Sequence, residues 1–572
     1  MKVIHYRSDI DGLRAISILP VILFHLGIPA FSGGYVGVDV FFVISGFLIT
    51  SIIYGEVKTG DFSFITFYER RIRRIFPALF VVMLVTAAAA TWLFLPQDLQ
   101  AFWRSLAAAT LFVANVSFWK EAGYFAASSE TKPLLHIWSI SVEEQYYIVF
   151  PIVVLLLVRY ASRHLVTLLS VAAILSFAAT VAVVHQHPEA AYFLPVFRAW
   201  ELLIGALLAL DAVPHPRTHL QRDVLSVVGL LLITYGILSF SADTVFPGAN
   251  ALYPCLGAAM LIHAGSGGHP SVVNRLLGWR PFVLLGLMSY SLYLWHWPLI
   301  VFARYYAIRE LSLPEKLAVM GLALLLAALS WRYIERPFRG KSGLIAGPGL
   351  FRVAACAMTV LVAVGLAGYW SGGLPQRMPP QIAQIGWSAA QADPRLKGFD
   401  SVSPGVLDHG EAGLLGDPQA PATHYLLWGD SHARALMPGI DDVARKSHQA
   451  VWVMGKPGCP PLLGIERLDR PWECAPMNDA VARFIRHHPE IDTVILAARW
   501  GLYAIGPFYP VEDKKPVILS SQATSGTSVT KTTLICLSLN ILSVLSSPCS
   551  KAARFPRTPR GERITGFLSS TG

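Results

Sequence analysis

Apolar segments of membrane length recur along the first two thirds of this chain. They run approximately 15–31, 36–54, 77–95, 102–118, 143–158, 165–184, 198–211, 224–240, 251–264, 282–303, 316–331 and 353–370. A bilayer core takes about 20 apolar residues of helix. Inside it the backbone must satisfy its own hydrogen bonds, which limits the chain to a helix bundle or a closed barrel. With 54% of its 572 residues hydrophobic and 14% charged, the chain reads as a polytopic α-helical membrane bundle, with length left for one further domain.

Basic residues sort these segments. The net charge is +10, but the cations cluster in short loops between apolar runs, which is a cytoplasmic topology bias rather than a nucleic-acid surface. Lys58 with Arg70, Arg71, Arg73 and Arg74, then Arg159 and Arg163, Arg217 and Arg222, Arg275 and Arg280, and finally Arg332, Arg336, Arg339 and Lys341 all favour the same side. They agree only if one segment between 77 and 158 does not cross. The segment 102–118 contains Asn115 and precedes a long polar loop, so it is assigned as interfacial or re-entrant. Ten spans up to residue 340 and an eleventh at 353–370, leading outward, are expected, with the N-terminus cytoplasmic and the C-terminal domain periplasmic. Asp9, Asp11 and Arg14 precede a first segment with no small-residue cleavage site, so that segment is expected to remain as an anchor.

Within this frame the ionisable residues stand out. Arg14 and His25 lie eleven steps apart, close to three helical turns, which places both on one face roughly 16 Å apart. An ionisable group inside a span must face a bundle interior or a wet cavity. His25 suits a general base, because imidazole exchanges a proton near neutral pH. Asp39, Glu143 or Glu144 can orient its ring, and spacing does not choose among them. Arg14 can hold a donor or stabilise an oxyanion. The alternative for His25, Asp39, His136, Glu143 and Glu144 is hydrogen bonding between helices. Arg198 and Glu201 read either as functional or as an intramembrane ion pair, His296 among its tryptophans as a packed group, and Glu335 and Arg336 as structural. Arg70 and Arg73, three apart, share a helical side, where guanidinium forks can grip phosphates; simple positive-inside anchoring is the competing reading.

The ordered strings around these residues carry a family resemblance. R-x10-H followed by GVDVFFVISGFLI, then FYERRIRRIFPA, LLHIWSISVEEQYY, FRAWELLIGALLA, SYSLYLWHWPLI and YIERPF, resembles the acyltransferase-3 family of bacterial membrane O-acyltransferases over roughly residues 5 to 340. The resemblance implies an acyl-coenzyme A donor, acetyl-CoA or another short acyl-CoA, with Arg70, Arg71, Arg73 and Arg74 on its phosphates and no metal. It implies an acceptor hydroxyl on a surface polysaccharide or lipid-linked glycan such as O-antigen or peptidoglycan.

Beyond residue 370 the composition changes. The expected organisation is an acyltransferase-3 transmembrane domain at 1–340, a linking region with the eleventh helix at 341–370 and a periplasmic linker at 371–422. A partial α/β domain at 423–510 and an aberrant tail at 511–572 follow. HYLLWGDSHARALMPGI reads as a buried strand, a tight turn at Gly429 and a helix, a geometry that can expose Ser431 as a nucleophile beside backbone donors. GDSH after an apolar strand, followed by GKPGCPP and VILAARW, is similar to the SGNH hydrolase domain, a flavodoxin-like fold fused to some acyltransferase-3 proteins. That resemblance makes Ser431 the nucleophile and Gly455 or Gly458 a candidate oxyanion donor. Arg499 and Trp500 stand where it would place an asparagine. Cys459 and Cys474 are expected to form a disulfide in an oxidising compartment, and Cys255 and Cys356 to be inert.

The fold resembled ends in Asp-x-x-His, which supplies the base for the serine. No His follows His488, and the sequence from about Val511 turns Ser/Thr-rich and then basic. The tail is therefore expected to be foreign to the domain, as from a shifted reading frame or a truncation, leaving Ser431 without its base; the alternative is that His432 or another His substitutes. The combined expectation is a membrane O-acyltransferase with an inactive SGNH part. Two other classes are compatible with the same residues: a polytopic transporter of a lipid-linked sugar or acyl donor, and a membrane-anchored glycan-binding module.

Overall fold

The computed structural model describes residues 6–121, 131–266, 270–339, 347–380, 399, 403–410, 412–464 and 474–500, with the backbone of strands at 465–467, 519–521 and 533–537. The chain divides into two units, Met1–Trp387 and Ser388–Gly572.

The described residues of the first unit form helices and the turns between them. Its elements are α1 (Ser8–His25), α2 (Gly37–Thr59), α3 (Phe64–Leu93), α4 (Pro96–Thr110), α5 (Ala114–Glu121), α6 (Ile137–Ala161), α7 (Leu165–Val183), α8 (Pro188–Phe193), α9 (Pro195–Ala209), α10 (His219–Ser239), α11 (Leu252–Ala264), α12 (Val272–Leu277), α13 (Arg280–Ala307), α14 (Leu313–Ser330), a π turn (Trp331–Glu335), α15 (Arg336–Arg339) and α16 (Pro348–Trp370). Among the described residues eight helical stretches are long and apolar enough to cross a membrane. One of these covers both α6 and α7. α1 carries Asp9, Asp11 and Arg14 in its 18 residues, and α11 has only 13, so length and composition do not count either. The expected non-crossing segment 102–118 divides at Leu111–Val113 into two helices, of which the longer has 15 residues, about 22 Å of rise. Exposed leucines, valines and isoleucines cover the outer faces, as on α7 and α10, while the polar groups lie buried within.

Glycines let the central helices meet backbone to backbone. A Cβ at Gly46 on α2 would lie 1.8 Å from the Leu202 carbonyl oxygen, and one at Gly205 on α9 would lie 2.0 Å from that of Val43. Small residues at such crossings are how apolar helices associate in a membrane, where no hydrophobic gain drives them together. α1 lies along α13 and also meets α2, which sets His25 beside His296.

The second unit is a small α/β layer structure. β1 (Gly413–Gly416), β2 (Tyr425–Gly429), β3 (Ala450–Gly455), β5 (Thr493–Ala497) and β7 (Thr533–Leu537) form a sheet in the order β1-β3-β2-β5-β7, and β4 (Ile465–Arg467) pairs with β6 (Leu519–Ser521). β1 runs antiparallel and the other sheet strands parallel. Among the described residues helices α17 (Pro404–Asp408), α18 (Ser431–Lys446) and α19 (Cys474–His487) accompany the sheet. Leu426, Leu427, Val453 and Val494 fill the two cores on either side of the sheet. The parallel strands read as continuous apolar runs because both of their faces are covered.

Two expectations about boundaries change here. The linker expected over 371–422 contains α17 and β1, whose Gly-Leu-Leu-Gly is too short to show a strand period. The tail expected to be foreign from 511 supplies β6 and β7. Thr-Leu-Ile-Cys-Leu is a β-branched residue followed by four apolar ones, which suits a covered parallel strand, and its register sets Ile535 opposite Ile495. The remainder of that tail lies outside the described residues.

Candidate functional site

The cytoplasm-assigned end of the bundle holds a cavity of about 340 Å³ walled by Arg14, Leu48, Arg70, Arg73, Arg74 and Arg339. Four elements build it: the first turns of α1, the middle of α2, the front half of α3, and α15. The i, i+3 spacing on α3 puts Arg70 and Arg73 on one wall, as their sequence predicted. Acidic neighbours aim several of these side chains. Arg70 pairs with Glu56 at 2.7 Å, Arg73 with Glu69 at 2.7 Å, and Arg14 with Asp11 at 3.5 Å. Arg339 pairs with Glu335 at 2.6 Å, and the buried Ser291 hydroxyl also bonds Glu335. Arg339 was counted in the sequence only as a cytoplasmic anchor; the i, i+4 Glu335–Arg339 pair was the available signal that its side chain is held.

A second cavity of about 90 Å³ shares Arg14, Leu48 and Arg74 with the first. It continues between α2, α3, α6 and α13, past Ser45, Arg71, Glu143, Glu144, Tyr147, Ser139 and Tyr293. Glu143 accepts from Ser45 Oγ at 3.0 Å and from Tyr147 Oη at 3.0 Å. Tyr293 Oη lies 2.7 Å from Ser139 Oγ and donates to the His136 carbonyl at 2.8 Å. Arg71 faces this second space rather than the first.

Tyr293 leads to the histidines. Its carbonyl lies 2.7 Å from His296 Nδ1, and His296 Nε2 lies 3.0 Å from His25 Nδ1. The two rings are nearly parallel, with an interplanar angle of 16°, and His136 lies edge-on to His296 at 5.6 Å. Trp297 leans on His25 at 4.6 Å. Cations hold the chain at this point: Arg304 donates to the His25 carbonyl at 3.0 Å and Lys316 to that of Gly27 at 3.1 Å, satisfying carbonyls at the C-terminal end of α1. The carboxylate expected to orient His25 is corrected: among the described residues its ring nitrogen bonds to His296, whose place among tryptophans reads in the sequence as a packed group.

Asp39 belongs to a different cluster. Arg198 pairs with Asp39 at 3.0 Å and with Glu201 at 3.0 Å, with side chains 1% exposed for the arginine and 0% for both acids. Four rings, Phe42, Trp138, Tyr192 and Phe246, surround the guanidinium carbon at 5.5–5.8 Å. Cys255 joins Asp39 and Glu201, their ligand atoms within 4.8 Å of one another. The guanidinium already supplies the cation this group calls for.

In the second unit Ser431 opens α18 at the end of β2. The chain leaves β2 for β3 on one side and returns to β5 on the other, so Ser431 sits at the topological switch point, where open α/β sheets place their sites. Asp430 ties the turn down: its Oδ1 accepts from His432 N at 2.8 Å and its Oδ2 from Arg499 N at 3.0 Å. Gly455, in register with Gly429, has φ 148°, and a Cβ there would lie 1.9 Å from the Gly429 carbonyl oxygen. No side chain fits, so the backbone approaches the Ser431 turn directly. Gly458 follows, with φ 79°, next to the Cys459–Cys474 disulfide. Cys255 and Cys356 are free, the first buried and the second exposed. Among the described residues no imidazole hydrogen-bonds the Ser431 hydroxyl; His432 Nδ1 lies 3.3 Å from Asp430 instead.

The comparisons agree with this division. The family model described as an acyltransferase domain matches residues 7–368, and one described as an SGNH domain fused to such domains matches residues 399–535. Similar relatives include "O-acetyltransferase OatA" of Staphylococcus aureus strains NCTC 8325 / PS 47 and COL, each 30% identical over 354 residues, which is 59% of this chain and 58% of the relative. The match thus spans a little over half the length of those curated relatives. No solved structure matches. With one family model running from α1 into α16 and the SGNH match running from before β1 into β7, the chain belongs to the acyltransferase-3 family of membrane proteins, with an SGNH domain fused after its last apolar helix.

Proposed function

We propose that the bundle is an O-acetyltransferase that takes acetyl from acetyl-CoA at the cytoplasmic face and passes it to a hydroxyl of a cell-surface carbohydrate. The observation that carries this reading is the arginine-walled cavity and its continuation past Glu143 toward Tyr293. Guanidinium forks match phosphate oxygens, so Arg14, Arg70, Arg73, Arg74 and Arg339 suit the phosphates of coenzyme A. Arg14 lies about 16 Å along α1 from His25, a span an extended pantetheine arm covers, so Arg14 holds the donor's phosphate end rather than the oxyanion. At the far end His25 removes the acceptor hydroxyl proton, the oxygen bonds to the acetyl carbon, and the carbon–sulfur bond breaks. The departing thiolate takes the proton back from the imidazolium. The relatives' name, O-acetyltransferase, supports the same reaction class.

Ser431 fits less well as the catalyst of a separate hydrolysis, because a serine hydroxyl is a weak nucleophile without an adjacent base. In this reading the SGNH unit is inert as an esterase and serves the acceptor side. Transfer of labelled acetyl from acetyl-CoA in membrane vesicles tests the proposal. Label should reach glycan with the wild-type chain and vanish with His25→Ala; label unaffected by His25→Ala refutes the role of His25.

A further inference from the structure

The hydrogen bonds around His25 determine which of its nitrogens is the base. His296 Nδ1 lies 2.7 Å from the Tyr293 carbonyl oxygen. A carbonyl only accepts, so Nδ1 of His296 carries the hydrogen and, in the neutral ring, Nε2 is a lone pair. That Nε2 faces His25 Nδ1 at 3.0 Å. An acceptor at this place requires a hydrogen on His25 Nδ1, which leaves Nε2 as the only lone pair on the His25 ring.

We propose that His296 is the positioning residue that holds His25 in its Nδ1–H tautomer, so that His25 presents Nε2 to the acceptor hydroxyl. This rests on the reading of the bundle as an acetyltransferase. His296 is fully buried, and its backbone partner is fixed in α13, so the pair has one arrangement. Arg304 bonds the main-chain carbonyl of His25, and Trp297 and Phe24 contribute ring contacts. His136 faces His296 edge-on. When His25 accepts the hydroxyl proton at Nε2, its Nδ1–H bond to His296 becomes charge-assisted and stronger. The chain of bonds ends at a carbonyl that cannot take up a proton. The proton therefore stays within the His25–His296 pair until the thiolate removes it from His25 Nε2, and nothing is oxidised or reduced.

Two measurements on the full chain test this. In vesicles with labelled acetyl-CoA, His296→Leu removes the acceptor. Its kcat should fall at least about tenfold, out of the roughly 10²–10⁴-fold that a general base supplies, with the KM for acetyl-CoA little changed because donor binding lies elsewhere. His296→Gln presents an acceptor oxygen and an N–H donor on one amide and should recover most of the turnover. Full turnover in His296→Leu, or equal loss in both variants, overturns the proposal. In nanodiscs, ¹⁵N-histidine spectra assigned by difference against His25→Ala should show a hydrogen on His25 Nδ1 and a bare Nε2. A hydrogen on Nε2 overturns the proposal whether or not the chain turns over. A wild-type chain that shows Nδ1–H yet transfers no label refutes the acetyltransferase reading and leaves the tautomer assignment standing.

Discussion

Arg198→Met removes the single guanidinium that faces two fully buried carboxylates. Met keeps a long apolar stem, so the four surrounding rings retain packing while Asp39 and Glu201 lose their counter-charge. Breaking a buried pair by deleting one partner destabilises by about 3–5 kcal/mol, whereas replacing all members by neutral groups is often neutral. At 1.4 kcal/mol per factor of ten, the opening equilibrium of this region should rise roughly 100- to 4,000-fold. A native reporter sits beside the cluster: the Cys255 thiol is 0% exposed and gathers with Asp39 and Glu201 within 4.8 Å. Alkylation of Cys255 needs local opening, so its rate follows that equilibrium when reclosing is fast. Mass spectrometry of the peptide carrying Cys255 separates it from the exposed Cys356 and from the other cysteines. The triple variant Arg198→Met/Asp39→Asn/Glu201→Gln should return the rate to within about tenfold of wild type. An alkylation rate in Arg198→Met within a few-fold of wild type would refute the argument that the guanidinium is what makes these two acids tolerable in the bundle. So would a triple variant no slower than the single one.

Three other outcomes are expected. Arg339→Ala should raise the KM for acetyl-CoA about 10- to 100-fold, the range of one hydrogen bond to a charged group, with kcat little changed in the vesicle assay. Gly205→Leu should abolish accumulation of folded chain, measured by size-exclusion of the detergent-extracted protein, because its Cβ alone would lie 2.0 Å from the Val43 carbonyl oxygen; Gly55→Ala, with nothing within 4 Å, should be tolerated. In the second unit Arg483 bonds Asp408 at 3.0 and 3.1 Å, and that hydrogen bond holds the Asp408 carboxyl below its usual range. A depressed folded value means the α17–α19 link is fully present above the unfolded carboxylate value and weakens as pH falls through the folded one. Hydrogen exchange at α17 should accelerate there, and Arg483→Gln should remove that pH dependence.

Composition and order alone carried the class of fold. Apolar runs of membrane length admit only helices here, and loop arginines sort them, so a helical bundle followed by an α/β unit was legible without coordinates. The i, i+3 spacing of Arg70 and Arg73 and the eleven steps from Arg14 to His25 are properties of one helix each, and a helix's geometry is set by its own backbone. The strand–turn–helix around Ser431 and the Cys459–Cys474 pair are likewise local, and both were legible.

What could not be read was which helices face one another. His25 and His296 are 271 residues apart, and Asp39 and Arg198 are 159; no periodicity encodes such meetings. The sequence offered three carboxylates for His25, all chemically suitable, and packing of α1 along α13 supplied a second imidazole instead. Asp39 went to Arg198 because Gly46 and Gly205 let α2 and α9 close to backbone contact, bringing their charged groups within ion-pair distance. Arg339 entered the arginine cavity because the π turn and Glu335 aim α15 at α3. The strand at Thr533–Leu537 was missed because four apolar residues in a polar tail specify no partner until β5 offers its edge. Local chemistry follows from neighbours in the chain, whereas the identity of a buried partner follows from the close packing that only a folded bundle provides.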